Sequence, residues 1–139
     1  MSERRMIKRK VKFLKRYKGI LKDYKLIINK KSYKNPNMGY SNIIYQSGNN
    51  VEGIIYEIME TDILKLDKFE GYPKHYDRVV IDINVDNKIE KCIVYISQKE
   101  WVTNEELKTS NEYKNYLLDG KDLLSEKYYE RLKNIKTLD

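Results

Sequence analysis

Alanine is missing from the 139 residues, and cysteine, histidine and tryptophan occur once each. The single thiol, Cys92, cannot close an internal disulfide, which excludes a disulfide scaffold. One histidine and one cysteine form no ligand cluster, so no metal or other cofactor is expected. No apolar run approaches the roughly 18 residues of a membrane span. No apolar stretch follows the basic N-terminus as it would in a secretory leader. A soluble cytoplasmic protein without a membrane partner is expected. There are only two prolines and six glycines, no repeat and no Pro/Ser-rich linker, so 1–139 reads as one domain.

Lysine, isoleucine, asparagine and tyrosine take the place of alanine, the bias of an AT-rich coding sequence. Hydrophobic residues make up 40% of the chain, enough for a core beside 35% charged residues. The net charge of +7 is unevenly spread. Residues 1–34 carry 14 Lys/Arg against 2 acids, and residues 35–139 carry 14 against 19. A basic quarter of this kind can bind nucleic acid or anionic lipid. The ordinary reading is a solvated lysine surface, and the tyrosines alternate with lysines as half-buried strand residues do. No nucleic-acid partner is expected.

Ser2 can cap a short basic helix over 3–10. Alternation then predicts strands within 11–28, with Val11, Phe13, Tyr24, Leu26 and Ile28 on buried faces. Residues 32–42 have loop composition. A short strand at 43–46 and a turn at Gly48, Asn49 and Asn50 lead to 51–58, which is apolar on both faces and reads as a central strand. Gly53 within it suggests close backbone approach. Thr61 is positioned to cap a helix over 61–70. Residues 77–85 and 89–97 read as a hairpin turning at Asp86-Asn87. Thr109 and Glu112 have capping-box spacing for a helix ending near Gly120. A last helix from Ser125 places Tyr128, Leu132 and Ile135 on one face. The fold class is α+β, about six strands in a curved or closed sheet with flanking helices.

Ile63, Leu66 and Glu70 share one face of the 61–70 helix, because their spacing is i, i+3, i+7. That face must turn inward, carrying a carboxylate toward the interior or a cavity beside it. A carboxylate buried without a partner costs several kcal/mol or takes up a proton more readily. Such a group can accept and return a proton near neutral pH. The alternative is an exposed Glu70, or one paired with Lys74 or Arg78. His75 reads as a solvated loop residue and Cys92 as a small buried apolar residue of a strand.

The segments 51-VEGIIYEI-58, 66-LDKFEGYPKHYDR-78 and 92-CIVYI-96 resemble the gamma-glutamylcyclotransferase family. Its pattern there is Val-x-Gly-x-x-Tyr, then Leu-Asp-x-x-Glu-Gly-x-x-x-x-Tyr, then a strand ending in Tyr. Residues 41–48 and 110–135 extend the resemblance over nearly the whole chain. It implies a small mixed β-barrel with packed helices. It also implies a reaction in which the α-amine of a γ-glutamyl group attacks its own γ-carbonyl, giving 5-oxoproline and a free amino acid or amine. The implied partner is thus a small γ-glutamyl molecule, and the implied assembly a monomer or weak homodimer. By the same resemblance Glu70 is the proton shuttle, and Tyr113 and Tyr95 contact substrate.

The family's first strand ends in Tyr-Gly-Ser-Asn-(Leu or Met), whose backbone N–H groups cradle the substrate. Here Met1 falls on the last residue of that motif, so Met1 counts among the substrate-contacting residues and the domain is expected to be truncated at its N-terminus. A shortened form is expected to be a weak catalyst, since loss of one such donor typically costs about 2.7–4 kcal/mol. The competing function is a catalytically inactive small-molecule or protein-binding module on the same fold.

Overall fold

The computed structural model describes residues 2–139, and the expectation for Met1 lies outside them. The elements in chain order are α1 (Glu3–Lys8), β1 (Phe13–Lys31), β2 (Gly39–Ile58), α2 (Ile63–Glu70), β3 (Tyr76–Val85), β4 (Lys88–Ser97), α3 (Asn111–Leu118) and α4 (Glu126–Lys133). Single 3-10 turns precede α2 and follow β4.

The four strands form one antiparallel sheet in the order β2-β1-β3-β4. The sheet curls, so that its outer strands β2 and β4 come into contact. Among the described residues, parallel pairing is confined to the isolated bridges Met38–Lys108 and Thr109–Thr137. Four strands replace the expected six because β1 and β2 are long and continuous. The Gly48 segment is a bulge inside β2 and not a chain reversal. Asp23, at φ 63°, stands opposite residues 46–49, and its carboxylate accepts the Gly48 N–H at 3.0 Å. Such a bulge bends the strand pair without ending it. The hairpin between β3 and β4 turns at Asp86 and Asn87, both left-handed, as a tight primed turn requires.

Residues 51–58 belong to an outer strand, contrary to the central position expected. Their two apolar faces are served in another way. Ile54 packs against the cluster of Leu124, Tyr128 and Leu132 beneath α4, and Ile55 lies over β1. The close approach expected at Gly53 occurs at its cross-strand partner Gly19. A Cβ at Gly19 would stand 2.7 Å from Ile55 and 2.8 Å from Ile83, whereas one at Gly53 would meet open space.

Two caps fall beside the residues expected. Asp62, not Thr61, precedes α2, and it makes no side-chain cap there because its carboxylate accepts the Lys12 N–H. Ser110, not Thr109, caps α3 by accepting the Tyr113 N–H, which replaces the Thr109–Glu112 box. Thr109 is fully buried and pairs with the C-terminal segment instead.

The basic first quarter is tied down by acids from later in the chain. Arg4 pairs with Asp119, Arg9 with Glu70, Arg16 with Asp122, and Lys18 with Glu52. Glu52 also accepts both the N–H and the hydroxyl of Ser125, which fastens the start of α4 to β2.

Candidate active site

A cleft of about 1050 Å³ opens between the inner face of the curled sheet and helices α1, α2 and α3. Ile63, Leu66 and Glu70 all line it, as their shared helical face requires. Gly71, in the left-handed conformation, ends α2 one residue later and leaves Glu70 at the mouth of the helix. Tyr95 and Tyr113 line the same cleft.

Glu70 is not an unpartnered buried carboxylate. Its Oε1 accepts from Arg9 Nη1 at 3.2 Å, with 26% of the Glu70 side chain and 12% of the Arg9 side chain exposed. The partner comes from α1, not from Lys74 or Arg78. Among the described residues the second oxygen, Oε2, accepts no hydrogen bond. Burial lowers the Arg9 pKa, the neighbouring Arg5 lowers it further, and Glu70 opposes both.

The Tyr113 hydroxyl accepts the Ser41 N–H at 3.2 Å and shares a 2.7 Å bond with the Ser41 hydroxyl. Its ring stands edge-on to Tyr40 at 5.0 Å and carries the Arg5 guanidinium at 5.4 Å from its centroid. Burial raises its pKa against the Ser41 hydrogen bonds. Tyr76 closes the same wall by donating to the Ser41 carbonyl at 2.8 Å.

Tyr95 lines the cleft with its hydroxyl bonded to α2. Its hydroxyl donates to Asp67 Oδ1 at 2.6 Å, and Arg78 Nη1 donates to Asp67 Oδ2 at 2.6 Å. Burial and the Asp67 bond both push the Tyr95 pKa up. Asp67 is the most buried residue of α2, at 8% exposure. Sequence reasoning passed over it, although it stands beside Glu70 in the Leu-Asp-x-x-Glu-Gly segment.

His75 is half-buried rather than solvated. It stacks on Trp101 at 4.3 Å, and its Nδ1 lies 2.9 Å from the Lys30 ammonium. Burial and Lys30 lower its pKa, with Glu100 opposing. Cys92 is half-buried in β4, where burial raises its thiol pKa. Among the described residues no group of three or more His, Cys, Asp or Glu side chains is placed to hold a metal ion. Among them, too, no helix is long and apolar enough to cross a membrane.

The sequence model of the family described as "Gamma-glutamyl cyclotransferase, AIG2-like" matches residues 2–117. The chain belongs to this gamma-glutamyl cyclotransferase family. Its match to a curated relative is shorter. It is 42% identical over 50 residues to "Putative gamma-glutamylcyclotransferase CG2811" of Drosophila melanogaster, covering 35% of this chain and 32% of the fly protein. The matched segment therefore spans about a third of that relative's length. Among solved structures, one described as "Gamma-glutamyl cyclotransferase" superimposes with a TM-score of 0.81 at 23% identity, over 99% of this chain and 83% of the other. An uncharacterized human protein, loc79017, gives 0.76 at 23% identity over 91% and 76%. At these identities the structures establish the fold.

Proposed function

We propose that this chain is a cytoplasmic enzyme that cyclises a γ-glutamyl amino acid or γ-glutamyl amine to 5-oxoproline, with Glu70 as the proton shuttle. The observation that carries this reading is Glu70 itself. It stands at the end of an inward helical face, inside the cleft, fixed through one oxygen by Arg9 and with the other untied. The nucleophile and the electrophile belong to one molecule, so the protein's main task is to fold the substrate into a ring-like conformer. The α-ammonium gives a proton to Glu70, and its nitrogen attacks the γ-carbonyl carbon. As the amide C–N bond breaks, Glu70 passes that proton to the departing nitrogen, and the second proton of the attacking nitrogen follows by the same carboxylate, leaving a neutral lactam and a released ammonium. No oxidant, reductant or water is consumed.

Tyr113 contributes a fixed wall against the substrate, since Ser41 locks its hydroxyl. Tyr95 acts at one remove, by holding Asp67 and with it the orientation of α2. Cys92, a lone half-buried thiol, fits a reducing compartment.

The test is 5-oxoproline release from γ-glutamyl-alanine and γ-glutamyl-ethylamine. It is run on the chain and, where the reading frame continues upstream of Met1, on the extended chain. Release that falls about 10²–10⁴-fold in Glu70→Gln, with little change in substrate affinity, is the expected result. Release unaffected by Glu70→Gln removes Glu70 from the chemistry. Binding of both conjugates without release would mark an inactive binding module instead.

A further inference from the structure

Both carboxylates and cations line the cleft, and not all of the cations are paired. Arg9 already matches Glu70. Arg5, Lys30, Lys34 and Lys68 line the cleft without an ion-pair partner among the described residues, and Lys30 is the buried one. Arg5 lies on the rings of Tyr113 and Tyr116, 5.4 and 4.9 Å from their centroids. Lys30, at the end of β1, is only 4% exposed. Its ammonium sits 5.7, 5.5 and 5.0 Å from the rings of Tyr40, Tyr76 and Trp101.

One of the three Lys30 N–H donors meets His75 Nδ1, at 2.9 Å. The aromatic faces stabilise the cation without supplying an anion. Burial lowers the Lys30 pKa and Glu70 raises it, so Lys30 lies within the field of that carboxylate. Desolvation makes an ammonium in this position gain more from an arriving anion than a solvated surface lysine would.

Arg5 and Lys30 are linked through a series of rings. From Arg5 the contacts run through Tyr113 to Tyr40 and then to Lys30, so aromatic rings separate them. In the reaction proposed above, the substrate's α-ammonium must reach Glu70. The α-carboxylate shares its carbon, and Arg9, the partner of Glu70, with Arg5 one helical turn before it, is the pair that we assign to it. Lys30 is then left for an anion from the acceptor side of the substrate.

We propose that Lys30 receives the carboxylate of the departing amino acid, so that this chain prefers γ-glutamyl α-amino acids over γ-glutamyl amines. The inference rests on the cyclotransferase reading. It adds the acceptor class: a conjugate bearing a second carboxylate carries a net negative charge that Lys30 can meet, whereas an alkylamine conjugate has none to offer and a cationic amine is repelled.

The test compares γ-glutamyl-alanine with γ-glutamyl-ethylamine, which differs only by lacking the acceptor carboxylate. In the parent chain kcat/KM for the alanine conjugate should be about 10- to 100-fold higher. Lys30→Met keeps an unbranched side chain among the rings and removes the charge. It should bring the ratio to near one by lowering the alanine conjugate alone. A Lys30 with a purely structural role would lower both conjugates together, and a ratio unchanged in Lys30→Met would likewise overturn the inference. If Lys30→Met fails to fold, Lys30→Gln takes its place.

Calorimetric titration of both conjugates into the Glu70→Gln chain, with and without Lys30→Met, separates this inference from the catalytic reading. Tighter binding of the alanine conjugate that depends on Lys30 supports the charge assignment even where no 5-oxoproline is released. Equal binding, or none, refutes it.

Discussion

Helix α2 carries two carboxylates three residues apart, and the structure treats them in opposite ways. Asp67 is buried and committed, with one oxygen on the Tyr95 hydroxyl and the other on Arg78. Glu70 lines the cleft, holds one arginine through a single oxygen and keeps the other untied. The first arrangement fixes a helix against a sheet. The second leaves a proton site open beside a bound molecule. Burial alone would have ranked Asp67 as the more interesting acid. Counting the hydrogen bonds already made gives the reverse order, since a carboxylate with both oxygens held by structural donors has less capacity left for substrate.

Substituting each acid in turn is the strongest way to break this contrast. Glu70→Gln should lower turnover by about 10²–10⁴-fold while leaving the denaturation midpoint nearly unchanged. Asp67→Asn should do the opposite, costing about 2–3 kcal/mol of stability in urea titrations, because Arg78 loses its charge partner in a half-buried setting. Equal stability losses from the two substitutions would mean that both carboxylates are structural. Tyr95→Phe removes one hydrogen bond to Asp67 and should cost about 1 kcal/mol, with activity falling only as far as α2 loosens.

The smallest effect is a pH dependence set by Glu52. Burial opposes its ionisation, but the Ser125 hydroxyl and N–H and the Lys18 ammonium hold its carboxyl below its usual range. A depressed folded pKa contributes stability that is complete above the ordinary carboxylate range and is lost as pH falls through the lowered value. Glu52→Gln should therefore flatten part of the acid limb of the stability curve, lowering stability most at neutral pH and least in acid.

Local spacing made some of this legible. The inward face of α2 follows from Ile63, Leu66 and Glu70 alone, and the hairpin from Asp86-Asn87. What escaped depends on partners distant in sequence. A run apolar on both faces reads as central, but α4 supplies the second cover for 51–58 and the strand lies at the edge. Gly19 and Gly53 look alike in sequence, and only the packing of Ile55 and Ile83 shows which one needs to lack a side chain. Thr109 and Ser110 are adjacent candidates for one cap, and pairing with the C-terminal segment takes Thr109. Arg9 and Lys30 are lost among many lysines and arginines until tertiary contacts set one against Glu70 and bury the other.

The stack of Trp101 on His75 gives the protein a spectroscopic handle of its own. Trp101 is the sole indole in the chain. Its ring lies nearly parallel to the imidazole and over the Lys30 ammonium. Its emission therefore originates at a single point, where charge and stacking both govern its colour and yield. A ligand that alters the charge on Lys30, or the protonation of His75, registers as a change in Trp101 fluorescence without any label.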